Sequence, residues 1–162
     1  MNVKCPSCCR QFARRVAAVG TTDRLLGIFS LHPFKCQLCG FRFRMPQWSA
    51  GGERAARDRR DYERIAVNFP LSFEAAELSG HGIATDLSIA GCSFRASIPL
   101  ATGALLRLEL RPTNDVRAIV VDAAAVRYAH EGSVGVEFLR WQENERDRLA
   151  PFVRGLLIGR AA

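Results

Sequence analysis

Four cysteines in two matched pairs, Cys5-Pro6-Ser7-Cys8 and Cys36-Gln37-Leu38-Cys39, constrain the start of this chain more than any other feature. Two residues between thiolates let a tight turn aim both sulfurs at one ion, and two such turns complete a tetrahedral four-sulfur site. No stretch reaches the roughly 18–20 apolar residues of a membrane helix. The apolar run from Leu25 to Phe34 is short and broken by Ser30, His32 and Pro33. Met1 to Cys5 has no apolar core of a signal peptide. The expectation is therefore a cytoplasmic protein without membrane insertion, whose cysteines are thiols or metal ligands and not disulfides. Structural Zn2+ on Cys5, Cys8, Cys36 and Cys39 follows, and four ligands in four positions leave none open for catalysis. In so small a module metal binding supplies much of the folding energy, on the order of 10 kcal/mol.

The cysteine module resembles the zinc-ribbon class, including Phe34 and Lys35 before the second pair and Gly40-Phe41-Arg42-Phe43 after it. In such ribbons backbone amides just past each knuckle donate to the sulfurs. Cys9 stands where a glycine is more usual and reads as a bystander thiol; His32 reads as a surface residue. A redox dithiol is the chemical rival, disfavoured because no thioredoxin-like βαβ pattern surrounds either pair.

Three regions separate along the 162 residues: a ribbon-like module over 1–46, a linker over 47–58 with a Gly-Gly pair and a charge run, and a β-rich domain over 59–159. Charge is divided unequally. Residues 1–70 hold 13 Lys/Arg against 5 Asp/Glu, and residues 71–162 hold 10 against 11. The basic part suits an anionic partner or a solvated surface.

Six short strands are expected: Ile65–Phe73, where Pro70 suggests an edge or a bulge, Gly82–Leu87, Cys92–Ala96, Leu105–Leu110, Val116–Tyr128 and Ser133–Leu139. Turns fall at Pro112–Asp115 and at His130-Glu131-Gly132. This spacing suggests an antiparallel β-barrel. The period then changes: Leu149, Phe152, Val153, Leu156 and Leu157 form one stripe of an amphipathic C-terminal helix, with Asn144 as N-cap and Glu145 and Asp147 in the first turn. The fold class is thus mainly β, a six-stranded barrel with a C-terminal helix and a small N-terminal zinc ribbon.

Two motifs carry the functional reading. Arg59-Arg60-Asp61-Tyr62-Glu63-Arg64 offers guanidinium groups leading into the first strand. Arginine pairs bidentately with phosphate or with the O6/N7 edge of guanine, and stacks on a purine face. Asp86-Leu87-Ser88-Ile89-Ala90-Gly91 offers a carboxylate for guanine N1–H and its amine, a hydroxyl for phosphate or a purine nitrogen, and a glycine for close backbone approach. Each also has a plain structural reading: a solvated basic stretch in the first case, an Asx-type turn in the second. Taken together, and with Gly135-Val136-Glu137-Phe138 ending the last strand, they resemble the PilZ domain family of cyclic di-GMP receptors from about Arg57 to Leu157.

That resemblance implies that Arg60 and Arg64 match the family's Arg-x-x-x-Arg loop, and that Asp86, Ser88 and Gly91 match its Asp/Asn-x-Ser-x-x-Gly motif. An arginine at Arg59 is associated in the family with two intercalated cyclic di-GMP molecules in place of one. The expected ligand is cyclic di-GMP, the expected output a change of domain arrangement that signals to a downstream protein partner. Two other readings stay open: a nucleic-acid-binding regulator using Arg10, Arg14, Arg15, Arg42 and Arg44, and a PilZ-like adaptor without ligand. No catalytic constellation stands out, so no enzyme is expected. The oligomeric state is open between monomer and homodimer.

Overall fold

The computed structural model describes residues 3–46, 61–76, 78–112 and 117–159, the side chain of Arg24 excepted. The expected linker, with Arg59 and Arg60, lies outside the described residues. The chain divides into two compact units, Met1–Glu63 and Arg64–Ala162.

In the first unit β1 (Ala13–Arg15), β2 (Leu31–Cys36) and β3 (Arg42–Pro46) form an antiparallel sheet in that order. Its core is small: Val3 and Phe34 are buried, with Ala13, Phe43 and Met45 packed against them. The helix α1 (Gly20–Ile28) was not anticipated. Two threonines and two glycines in nine residues give it poor intrinsic propensity, so periodicity could not reveal it. Buried Asp23 fastens it in place. Its carboxylate accepts from the Val19 N–H (2.9 Å), from Arg42 (2.6 Å) and from Arg44 (2.8 and 3.0 Å). The Val19 N–H and the two guanidinium groups hold the Asp23 carboxyl down to about 2.

The second unit is a closed barrel of β4 (Ile65–Ala75), β5 (Leu78–Ser88), β6 (Gly91–Ala96), β7 (Leu105–Leu110), β8 (Ile119–His130) and β9 (Ser133–Arg140). Every neighbouring pair is antiparallel, in the order β4-β5-β6-β9-β8-β7, and β7 returns to β4 through Leu71–Leu110 to Glu74–Arg107. Pro70 lies one residue outside the β4–β7 ladder that closes the barrel, its carbonyl accepting from the Arg111 N–H at 3.1 Å. A register shift between Ala66 and Phe69 precedes it. Alternation builds the interior: Leu106, Leu108 and Leu110 point inward, while Leu105 is exposed. Phe73 and Phe94, both fully buried, pack at 5.6 Å between ring centroids. Each such side chain contributes roughly 1.5–3 kcal/mol on burial.

The hairpin β8–β9 turns at Glu131-Gly132 with φ of 48° and 76°, as a two-residue type I′ turn requires. Helix α2 (Glu145–Gly159) buries Leu149 and Val153 and sets Phe152 edge-on to Phe69 at 6.1 Å. Its first residue, Glu145, is buried and accepts from the Val120 N–H at 3.1 Å, which ties α2 to β8. Asn144 precedes the helix in a left-handed conformation (φ 63°), a backbone state that asparagine tolerates, and its carbonyl accepts from the Arg148 N–H. Among the described residues no helix is long and apolar enough to cross a membrane.

Candidate functional site

The two Cys-x-x-Cys turns fold alike. Cys5 N–H donates to the Arg10 carbonyl and Cys9 N–H to the Cys5 carbonyl; Cys36 N–H donates to the Phe41 carbonyl and Gly40 N–H to the Cys36 carbonyl. The residue after each pair takes the left-handed region, Cys9 at φ 58° and Gly40 at φ 78°. Cys9 therefore occupies the glycine position of its turn, and its side chain is exposed, away from a ligand role.

The four sulfurs of Cys5, Cys8, Cys36 and Cys39 lie within 4.8 Å of one another. Cys5–Cys39 and Cys8–Cys36 are 3.7 and 3.6 Å apart. A tetrahedron with Zn–S near 2.3 Å has edges of about 3.8 Å, so this donor set fits zinc in size and chemistry. Burial pushes the Cys36 thiol up to about 12, against the backbone N–H groups of Cys39 and Leu38 that favour its thiolate. Burial also opposes ionisation of Cys39, yet the Phe41 N–H and the neighbouring thiols outweigh it and lower the value. The Phe41 amide just past the second knuckle thus serves Cys39, Cys36 is served from within its own turn, and a cation is what would hold such buried sulfurs ionised together.

On the barrel, register brings the second motif together with Gly135 and with Ser93 and Tyr128, which sequence reading passed over. Asp86 on β5 pairs with Ser93 on β6, Ser93 with Gly135 on β9, and Gly135 with Tyr128 on β8. These four residues form one row across four strands. The register shifts between Ala84 and Asp86 and between Val126 and Tyr128 flank this row. Ala84 and Leu87 both point inward with two residues between them, so Thr85 and Asp86 both face out. Bulges that re-aim a side chain are a common device beside binding sites.

A polar chain runs along the row. Arg64 Nη1 donates to Asp86 Oδ1 at 3.2 Å and to Ser93 Oγ at 2.7 Å, and Ser93 Oγ bonds the Tyr128 hydroxyl at 2.7 Å. Arg64 and Asp86 are 25% and 28% exposed, enough for solvent and solutes to reach them. Tyr128 lies flat over Gly135, where any Cβ would meet its ring at 1.9 Å. Tyr128 as a whole is 40% exposed. A groove of about 650 Å3 lined by Thr85, Arg95, Tyr128, His130, Glu131 and Ser133 continues this face. A larger depression of about 720 Å3 shares Arg95 and Glu131 but is lined by none of Arg64, Asp86, Ser93 or Tyr128, and of these four only Tyr128 lines the smaller groove.

The other motif residues act on the turn itself. Ser88 is buried, its hydroxyl donating to the Gly91 carbonyl (3.1 Å) and accepting from the Ala90 N–H (3.3 Å). Gly91 lies against β9, and a Cβ there would stand 2.2 Å from the Val136 carbonyl oxygen. The glycine is needed for close approach, and its φ is not among the positive ones. Cys92 is fully buried, which pushes its thiol far up and makes it inert filler.

Of the arginines proposed for nucleic acid, Arg42 and Arg44 are bound to Asp23, and Arg42 also donates to the Ala17 carbonyl. Arg15 contacts His32 Nδ1 at 2.8 Å.

Comparison with known proteins bears on the barrel. The family model described as "PilZ domain" matches residues 58–155. No curated protein matches the sequence. Solved structures with a similar fold include the inhibitor of motility MotI/DgrA of Bacillus subtilis, at 13% identity and a TM-score of 0.53 over 78% of this chain and 58% of that one. The PilZ domain with c-di-GMP of YcgR from Escherichia coli matches at 14% identity and a TM-score of 0.52 over 63% of this chain and 94% of that one. The PilZ domain of CeSA from a cellulose-synthesizing bacterium matches at 20% identity and a TM-score of 0.48, over 59% and 98% of the two chains.

Proposed function

Because the chain belongs to the PilZ domain family, we propose that it is a cyclic di-GMP receptor without catalytic activity, stapled at its N-terminal part by one structural Zn2+ on Cys5, Cys8, Cys36 and Cys39. One observation carries the reading: Arg64 of the arginine motif is hydrogen-bonded to Asp86 of the second motif, within a polar row on a solvent-reachable face. In the proposed complex Asp86 accepts from the guanine N1–H and amine, while Arg64 and Arg60 pair with phosphate or the O6/N7 edge. Tyr128 supplies a stacking plane. Ser88 and Gly91 act by shaping the turn that presents Asp86. Arg59 adds a cation for a second ligand, so two molecules bind per protomer. Ligand binding changes the domain arrangement read by a downstream protein partner.

Isothermal titration with cyclic di-GMP tests this. Native protein should bind, and Arg64→Ala should bind roughly 5- to 150-fold more weakly, the loss of about 1–3 kcal/mol given by a good bidentate contact. No heat from metallated native protein at saturating ligand would sink the proposal. The nucleic-acid reading gains no support from the ribbon arginines, two of which are committed to Asp23.

A further inference from the structure

The three residues between Arg60 and Arg64 are gripped from within the first unit. Lys35 Nζ donates to Asp61 Oδ2 at 2.8 Å and stands 4.4 Å from the centroid of the Tyr62 ring. Gln37 Nε2 donates to the Asp61 carbonyl at 3.1 Å, and Gln37 Oε1 accepts from the Glu63 N–H at 2.7 Å. The side-chain amide thus pairs with the loop backbone much as a neighbouring strand would. Gln37 is only 6% exposed, so removing the loop would leave its buried amide without these partners. It is also the second residue of the Cys36–Cys39 pair, held on its own backbone by the Phe12 carbonyl at 2.8 Å. Whatever fixes the conformation of that knuckle fixes the hand that holds the loop.

We propose that Lys35 and Gln37 are positioning residues for the arginine motif, and that metal ligation at Cys36 and Cys39 is positively coupled to cyclic di-GMP binding. This rests on the receptor reading above. Two physical effects give the coupling its sign. A segment held at Asp61, Tyr62 and Glu63 loses less freedom when Arg64, next in the chain, pairs with a ligand. Lys35 also occupies the Asp61 carboxylate, which would otherwise compete for the adjacent guanidinium groups or repel a dianion. Coupling is reciprocal, so the ligand must tighten zinc as much as zinc tightens the ligand.

The experiment uses the full zinc-loaded chain as native protein, Gln37→Ala and Asp61→Ala, with zinc content and barrel melting measured on each. Titration with cyclic di-GMP should show both variants binding about 5- to 10-fold more weakly than native, within the usual range of coupling. Asp61→Ala is the sharper of the two. Plain electrostatics has the loss of a carboxylate tighten a dianion, whereas loss of the grip weakens it. Asp61 is no part of either knuckle, so this variant decides the matter should Gln37→Ala lose its zinc. In competition with a chromogenic chelator, cyclic di-GMP should raise the zinc affinity of native protein and raise that of Asp61→Ala by less, since the Lys35 bond is lost there while the two Gln37 bonds to loop backbone remain. Native binding with Asp61→Ala at equal or greater affinity, or a zinc competition curve unmoved by ligand, overturns the coupling and leaves the receptor reading standing. No heat with native protein overturns both.

Discussion

The two units of this chain solve the same problem with different means. In the second, the order comes from apolar side chains: Leu71, Phe73, Phe94, Leu106, Leu108 and Leu110 fill a barrel whose strands have no free edge. In the first, Val3 and Phe34 make the centre of a small core, Val16 and Leu38 are buried besides, and polar groups add to it: one buried aspartate holding two arginines, and four sulfurs within 4.8 Å. A core that small does not offset the conformational entropy of some 45 residues. The comparison teaches where each unit is vulnerable. The barrel should yield to cavities and be indifferent to chelators, and the ribbon the reverse.

Metal removal is the strongest test. Chelation, or Cys36→Ser, should unfold the first unit, since structural zinc contributes on the order of 10 kcal/mol in such modules. Amide resonances of residues 3–46 should collapse to random-coil positions, while those of residues 64–159 stay dispersed. A single transition that takes both units together would break the comparison. The converse change is Phe94→Ala, a fully buried ring removed from the barrel. It should cost about 3–5 kcal/mol in denaturant unfolding of the barrel. Zinc affinity measured by chelator competition should stay at the native value.

Both units were legible to different degrees, for reasons that follow from the same contrast. The four clustered cysteines stand in local pairs, and Leu106, Leu108 and Leu110 alternate within one strand, so short-range patterns announce them. The row Asp86, Ser93, Gly135, Tyr128 has no such pattern, because its members meet only through strand register. Part of it was accessible by counting: a two-residue turn at Glu131-Gly132 sets His130 opposite Ser133 and, through Ala129 and Val134, Tyr128 opposite Gly135. The bulge at Thr85 that turns Asp86 outward has no comparable sign. Nor does the grip of Gln37 on Asp61 and Glu63, formed across about two dozen residues by a knuckle read only for its sulfurs. Ser88 shows the opposite limit. Its motif position was plain, but burial and two bonds inside the turn give it a structural duty that no sequence pattern separates from ligand contact.

Two glycines within the barrel sharpen the comparison on a smaller scale, because they sit beside different kinds of neighbour. At Gly91 the obstruction is backbone, the Val136 carbonyl at 2.2 Å; at Gly135 it is the Tyr128 ring at 1.9 Å. Gly91→Ala must move a strand, and should destabilise the barrel by about 1–3 kcal/mol or more, as overpacking does. Gly135→Ala need only displace a half-exposed ring. Its melting temperature should fall less than that of Gly91→Ala, while cyclic di-GMP affinity drops because Tyr128 no longer reaches Ser93. Equal melting shifts for the two variants would show that ring and backbone are equally rigid there.

The smallest expected effect lies between the two knuckles, which repeat the same backbone bonds and differ at one left-handed position. Gly40 adopts φ 78° freely, whereas Cys9 at φ 58° carries a Cβ into a region that costs an ordinary residue roughly 1–2 kcal/mol. Cys9→Gly should recover part of that, about 1 kcal/mol less the greater freedom of glycine in the unfolded chain. With zinc bound as proposed, folding of the first unit and metal binding form one equilibrium, and the gain should appear as a severalfold rise in zinc affinity, with barrel melting unmoved. A fall in zinc affinity would mean that the exposed Cys9 thiol takes part in holding the metal, and that the two turns are less alike than their backbones indicate.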